Sequence, residues 1–472
     1  MGVSPTEQNV NDDVESNSQP EEIDRKVEKS LLRRLDIVLL PTLALLYLTH
    51  TLDRANLGNA KSGTLEADLN LHGNQYSLVL ILFYIPYALF NIPATVLSKR
   101  LNAAVIIPIL VIGWGSLAMI TAAVKNFGSL LACRVILGMM EAGFIPCATF
   151  YCTLFYTRKE LGLRLSLFLM MGFIAGAISG LISWSVFQWN GKLTGWQYLF
   201  LIEGAMGVAV GAWALLWLPR SVQSSPFFTE EQKKCAGQRM ALEKEDFSWV
   251  EGLQALKDWK IWVFAFCALL YGVGVASSSN FLPVMIKRLT DDAVQANLYT
   301  IGPNLTAAAI QLTTCYLSDL TQQRAWFSIG PIIVSMIGWI LLGSLDLVKH
   351  VKVGYFLTYL ITFGTFTPSL LVPAWVGTNT PSTSTRAVSL GLLSMFQNLG
   401  GIVSSGAYRA QDAPIYRPAL TTVFACQAVF VVICFLMRIQ YKRMNQRLDA
   451  GMSLEEREKM RGKAAPGFRY ML

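Results

Sequence analysis

Twelve apolar stretches, each of about twenty residues, run through this 472-residue chain and leave few ways for it to fold. A stretch of that length crosses the hydrocarbon core of a bilayer, and in lipid only a helix or a closed barrel satisfies its own backbone. With 53% hydrophobic and 15% charged residues and a mean hydropathy of +0.43, the chain is too apolar for an ordinary soluble domain. The pattern predicts an all-α membrane protein with spans at 36–56, 76–97, 104–124, 129–155, 165–188 and 196–218, then 260–283, 296–317, 326–346, 353–376, 386–408 and 417–438.

The long polar interval between spans six and seven carries Thr229-Glu-Glu-Gln-Lys-Lys234 and Glu243-Lys-Glu-Asp246 and reads as a solvated linker. The expected organisation is therefore a tail at 1–35, a six-helix half at 36–218, a linker at 219–259, a second six-helix half at 260–438 and a tail at 439–472. Residues 1–24 are polar and acidic without an apolar core, so no cleavable signal peptide is expected, and the stretch reads as a disordered cytosolic tail.

Basic clusters set the expected orientation. Arg25, Lys26, Lys29, Arg33 and Arg34 precede span one, and Lys99 and Arg100 follow span two. Arg158, Lys159 and Arg164 follow span four, and Arg438, Lys442, Arg443 and Arg447 follow span twelve. With twelve spans all of these fall on one side, which the positive-inside rule makes the cytosol, together with both termini and the linker. The opposite loops are not free of charge, since Lys61, Lys125, Lys192, Lys287 and Lys352 lie there, so the orientation rests on the weight of the clusters. The formal charge of +8 thus reports topology in a lipid bilayer, with no nucleic-acid partner expected.

Enzyme signals are missing. The chain has no GxxxxGK[ST] phosphate loop and no HExxH, and its eight cysteines lack CxxC spacing, so neither a metal nor a cofactor is expected. The cysteines read as small hydrophobes, and His50, His72 and His350 read as lying near membrane faces. Asn304-Leu-Thr306 matches a glycosylation sequon but falls in span eight, so it is expected to be unused.

What stands out is charge inside the spans, because an ionised side chain at the centre of a spanning helix costs roughly 2.5–3.5 kcal/mol on insertion scales. Arg134-Val-Ile-Leu-Gly-Met-Met-Glu141 places two charges in span four, nearly two turns and about 10 Å apart on one face. Asp53 and Arg54 close span one; either they snorkel to water at its end, or the helix continues through Ala60 and brings them inside the bundle. Glu203 in span six reads as the structural partner of a loop arginine. Tyr84, Asn91, Asn280, Gln311, Asn379, Gln397 and Asn398 are polar side chains within spans, each alone sufficiently explained by an interhelical hydrogen bond. Gly172, Gly176 and Gly180 predict close packing of span five, and Pro86, Pro93, Pro283, Pro368 and Pro373 predict kinks in spans two, seven and ten.

Several ordered motifs together resemble the anion:cation symporter family of the major facilitator superfamily, in its fungal allantoate-permease-like branch, over nearly the whole chain. They are Leu52-Asp-Arg-Ala-Asn-Leu-Gly-Asn-Ala60 with Gly73-Asn-Gln-Tyr76, Arg134 to Gly143, and Gly195-Trp-Gln-Tyr-Leu-Phe-Leu-Ile-Glu-Gly204. Tyr316-Leu-Ser-Asp319, Ala374-Trp-Val-Gly-Thr-Asn379, Arg386-Ala and Asn398-Leu-Gly-Gly401 continue the pattern. The chain departs from it at Leu97-Ser-Lys-Arg-Leu101, where the superfamily's loop has an aspartate and a glycine, and at Arg220, where the branch has an acidic residue. The resemblance implies the major facilitator fold, with two six-helix halves around a midplane site. It also implies a proton-coupled symporter of a small organic anion, such as a vitamin, ureide or sugar acid. Asp53 and Glu141 would couple protons; Arg54 and Arg134 would bind the anion, with Asn398, Tyr84, Gln397 and Asn280 completing the substrate site. For Arg134 the alternative is a purely structural ion pair with Glu141. For the whole chain the alternatives are an uncoupled facilitator or exporter, or a non-transporting nutrient sensor. The protein is expected to act as a monomer in the plasma membrane, with substrate, protons and lipid as its partners.

Overall fold

The computed structural model describes residues 24–242, 249–287, 289–290, 292–345, 350–380, 382–450 and 469–472, and these are helical throughout apart from turns and loops. The first half comprises α1 (Arg25–Ser62), the short α2 (Leu65–Asp68), α3 (Gln75–Leu101), α4 (Ala103–Thr121), the broken span α5 (Phe127–Glu141) and α6 (Phe144–Thr153), the broken span α7 (Arg158–Leu169) and α8 (Met171–Val186), and α9 (Gly195–Trp217). Linker helices α10 (Glu230–Leu242) and α11 (Trp249–Gln254) follow. The second half comprises α12 (Trp259–Lys287), the short α13 (Ala293–Leu298), α14 (Ile301–Thr321), α15 (Arg324–Ser344), the broken span α16 (Val351–Thr365) and α17 (Pro368–Asn379), α18 (Thr383–Ala407) and α19 (Arg417–Asp449).

Among the described residues, ten helical stretches are long and apolar enough to cross a membrane. Two further helices, α3 and α14, complete the twelve expected spans. α14 is less apolar because Asn304, Gln311 and Asp319 interrupt it. The sequence carries no strong internal repeat, yet the packing repeats. In the first half α4 lies on α9, α3 on α5, and α1 on α8 and α9; in the second α15 lies on α19, α14 on α16, and α12 on α18 and α19. Span by span these are the same pairings shifted by six. The halves meet through α3 with α18, α8 with α14, and α1 with α12.

At the end away from the termini the halves are tied together. Ser77 Oγ donates to the Tyr408 carbonyl at 2.7 Å, the Ala410 amide to Asn74 Oδ1 at 2.9 Å, and Asn297 Nδ2 to Ser62 Oγ at 3.0 Å. Backbones approach closely here: a Cβ on Gly58 would lie 2.6 Å from the Asn280 carbonyl oxygen. The span-five glycines serve the same closeness, since Cβ atoms there would meet Tyr47 of α1 at Gly172, Asn304 of α14 at Gly176 and Thr300 at Gly180. At the terminus-bearing end the ion pair Arg164–Asp36 (2.7 Å) stays inside the first half, and Arg239–Glu28 (3.1 Å) ties linker helix α10 to α1. In the second half Arg324 pairs with Asp319, and residues 469–472 lie along the helix ends, the Tyr470 ring stacking on Tyr441 at 5.0 Å and the Met471 carbonyl accepting from Trp375 Nε1 at 2.8 Å.

Four expectations need correction or a limit. α1 does not stop near 56 but continues to Ser62, so Asp53 and Arg54 lie inside the bundle and not at an interfacial end. Helices α3 and α12 continue through their prolines without a break, which leaves the expected kinks there open, whereas span ten breaks just ahead of Pro368 in the first turn of α17. Span four breaks after Glu141, just ahead of Pro146 in the first turn of α6, and span five breaks at Met170 without proline. The side chains of Ser98, Lys99 and Arg100, and residues 243–246, lie outside what is described.

Candidate functional site

Helices of both halves converge on a cavity of about 240 Å³. Helix α1 enters it with His50, Thr51 and Arg54; α3 with Phe83, Tyr84 and Tyr87; α5 with Arg134; α12 with Asn280; α18 with Gln397 and Asn398. All six residues expected to touch substrate, Arg54, Arg134, Asn398, Tyr84, Gln397 and Asn280, therefore line one cavity. Sequence separation is spanned by packing: α1 crosses α12, and α3 crosses α18, at the junction of the halves.

Arg54 is the hub. Its Nε donates to Glu141 Oε2 at 3.3 Å and its Nη2 to Asn398 Oδ1 at 3.4 Å, a long bond across the two halves. The guanidinium lies 4.5 Å from the Tyr87 ring centroid and 5.5 Å from that of Phe83, and 28% of the side chain remains exposed to the cavity. A cation over aromatic faces is held without being fully neutralised, which leaves its outer edge available to an anion. Asn280 Nδ2 donates to the Tyr84 hydroxyl at 3.1 Å, and the Tyr271 hydroxyl to Gln397 Oε1 at 3.4 Å, so these polar groups are held in place from behind.

Arg134 differs. It is 4% exposed, packs 5.4 Å over the Phe200 ring, and its Nε and Nη2 have no hydrogen-bond partner among the described residues. Glu141, fully buried, has Arg54 as its ionic partner, and His50 Nε2 lies 3.5 Å from its Oε2. The direct Arg134–Glu141 pair is thus not formed in this conformation, and the buried Arg134 guanidinium has donors to spare. A buried charge with open donors is costly unless a ligand, water or a second conformation satisfies it.

Asp53 and Glu141 stand behind the wall and not in it. Asp53 is 3% exposed and lies alongside the Glu141 carboxyl, while neither of its oxygens has a hydrogen bond of 3.5 Å or less. Two carboxyl groups in contact next to an arginine form a place where a proton can be held or released as the arginine moves.

Two expectations about other residues are overturned. His50 is not near a membrane face: it is 1% exposed, stacked against Phe144 at 5.2 Å between centroids, and beside Glu141. It precedes Arg54 by four residues, one helical turn on the same face, and that spacing was the available signal. Glu203 does not pair with a loop arginine; it is 4% exposed and accepts from Ser179 Oγ at 3.4 Å, deep in the first half. The aromatic faces of Tyr47 and Tyr87 carried no signal of their own, because aromatic residues are common throughout the spans.

Comparison with known proteins agrees with this architecture. The sequence pattern of the Major Facilitator Superfamily matches residues 43–405. The chain is 40% identical over 432 residues to the MFS-type transporter efuF of Hormonema carpetanum, covering 90% of this chain and 88% of that one. It is 29% identical over 432 residues to the high-affinity nicotinic acid transporter of Saccharomyces cerevisiae, covering 90% and 80%. A crystal structure of a D-xylose-proton symporter superposes with a TM-score of 0.67 at 13% identity, covering 85% of this chain and 97% of that one, which is a likeness of fold.

Proposed function

The chain belongs to the Major Facilitator Superfamily and is a membrane transporter, not an enzyme, and we propose that it is a proton-coupled symporter of a small organic anion, a carboxylate. The observation that carries this reading is the pair of guanidinium groups, Arg54 and Arg134, in one cavity wall, the second with unused donors. Guanidinium remains charged at every relevant pH and pairs with both oxygens of a carboxylate. A cavity of about 240 Å³ is near the small end for ligand sites, which favours a compact substrate. The rings of Tyr47, Phe83, Tyr84 and Tyr87 around Arg54 suit a planar acid, and the name of the yeast relative makes nicotinate the first compound to try.

In the proposed cycle the anion bridges Arg54 and Arg134, Arg54 releases Glu141, and the freed carboxyl group with Asp53 takes up a proton. Asn398, Gln397, Tyr84 and Asn280 hold the rest of the substrate and link its arrival to movement of the second half. The junction at Ser77–Tyr408 and Ser62–Asn297 must open in the alternate state, since it closes the end away from the termini. Proteoliposome uptake of radiolabelled nicotinate, with unlabelled vitamins, ureides and sugar acids as competitors, tests the reading. Uptake should rise several-fold when an inward proton gradient is imposed. Equal uptake with and without the gradient would mean an uncoupled facilitator, and no uptake or competition by any carboxylate would overturn the anionic substrate.

Both termini belong in the cytosol and the protein in the plasma membrane on this proposal, for the basic residues cluster at the terminus-bearing end. Epitope tags at Met1 and Leu472 should be reached by antibody only after permeabilising cells. Labelling of either tag in intact cells would reverse the orientation.

A further inference from the structure

Helix α1 carries a buried polar row in steps of three residues, His50, Asp53, Asn56, Asn59 and Ser62, each exposed by 3% or less, of which His50 and Asn59 reach the cavity lining. Each member neighbours the next, although steps of three drift by about 60° round an α-helix and wind the row around α1, and in a membrane bundle the row needs partners of its own. Glu141 faces it from α5, Glu203 from α9 and Ser179 from α8. Glu203 Oε1 accepts from Ser179 Oγ at 3.4 Å, and Ser179 Oγ accepts from Asn59 Nδ2 at 2.8 Å. Asn56 lies beside Glu203, Asp53 lies within electrostatic reach of it, and Asp53 also lies beside Glu141. Asn59 reaches the cavity lining, whereas Ser179, Glu203 and Asp53 do not. The remaining charged or titratable groups around the cluster are His50 and Arg54 of α1 and Arg134 of α5; α4 and α8, which pack along α9 and α1, contain no acid or base in their sequences.

The choice of side chain at 203 is informative. A glutamine would accept from Ser179 equally well and would not add a third carboxyl group to a buried cluster. Glu203 Oε2 and both Asp53 oxygens have no hydrogen-bond partner among the described residues, and buried polar atoms in that condition call for a proton or water. We infer that Glu203 is a third proton-carrying carboxyl group, held in place by Ser179 and Asn59 and exchanging its proton with Asp53, and so with Glu141. In the transfer the Glu203 O–H bond breaks, an O–H bond forms on Asp53, and the negative charge moves from Asp53 to Glu203. The inference deepens the proton-coupled reading and rests on it for its purpose in the cycle.

The test needs no substrate: pH-induced infrared difference spectra of the purified protein in lipid, in which a carboxyl group that changes protonation gives a carbonyl band and one that never changes gives none. One band of the wild type should vanish in Glu203→Gln, return at a shifted frequency in Glu203→Asp, and shift in Ser179→Ala, which removes its hydrogen bond. A spectrum unchanged in Glu203→Gln would overturn the inference. Should that variant fail to insert, a spectrum unchanged in both Glu203→Asp and Ser179→Ala would overturn it equally. Neither substrate nor gradient enters the measurement, so a Glu203 band alongside gradient-independent nicotinate uptake would remove the symport reading and leave the proton site standing.

Discussion

Glu141→Gln should reduce accumulation driven by a proton gradient to the background of empty vesicles, while exchange of internal for external substrate continues. The amide keeps the size of the carboxyl group and still accepts from Arg54 Nε, now 3.3 Å away, so the packing of α5 against α1 should survive. What it cannot do is gain and lose a proton. Exchange returns the binding site without requiring that step, and net uptake requires it once per cycle. The expected loss is of order a hundredfold in net uptake, equivalent to about 2.7 kcal/mol, against a change within about twofold in exchange. The measurement is paired assays on one proteoliposome preparation, with purified variant and wild type reconstituted at equal density. Gradient-driven accumulation at wild-type level in Glu141→Gln would remove Glu141 from coupling and leave Asp53 as the candidate. Loss of both activities together would instead point to a structural role for the Arg54–Glu141–His50 contact.

Arg54→Lys and Arg134→Lys should each weaken substrate binding by one to two orders of magnitude, about 1.4–2.7 kcal/mol, although the charge is retained. Lysine offers a compact, strongly hydrated ammonium where arginine offers a planar fork, so a bidentate contact becomes a single one. For Arg54 there is a further loss: the guanidinium plane over Tyr87 and Phe83 and the bond from its Nη2 to Asn398 depend on its shape. For Arg134 the competing account was a structural pair with Glu141, which lysine would largely preserve. The open Nε and Nη2 of Arg134 argue for the clamp, and the substitution decides between them. Binding of nicotinate, or of the best competitor from the uptake screen, would be measured by calorimetry on purified wild type and variants. Unchanged affinity in both variants would take the arginines out of the binding site.

The order of the chain was sufficient to determine the class of fold. Apolar runs long enough to span lipid, one polar interval between two groups of six, and basic clusters at alternate loops follow from hydrocarbon's refusal of unpaired backbone and charge, a constraint that acts on each segment separately. The same logic made Asp53, Arg54, Arg134 and Glu141 conspicuous, because charge inside a span is rare whatever surrounds it. Partnership is a different matter. That Arg54 contacts Glu141, 87 residues away, and Asn398, 344 residues away, depends on how α1, α5 and α18 are arranged around the cavity. His50 looked peripheral because a hydropathy window ended span one near 56, whereas packing against α8, α9 and α12 carries the helix on to Ser62. Glu203 likewise could be given a partner only once α8 and α9 were laid beside α1, since a carboxyl group in an apolar run announces that something must face it without saying what. Local hydrophobicity is a property each residue brings with it. Which buried polar groups meet is a property of the helix crossings, and it was tertiary structure that divided these charges into a cavity wall with Arg54 and Arg134 and a hidden row of carboxyl groups behind it.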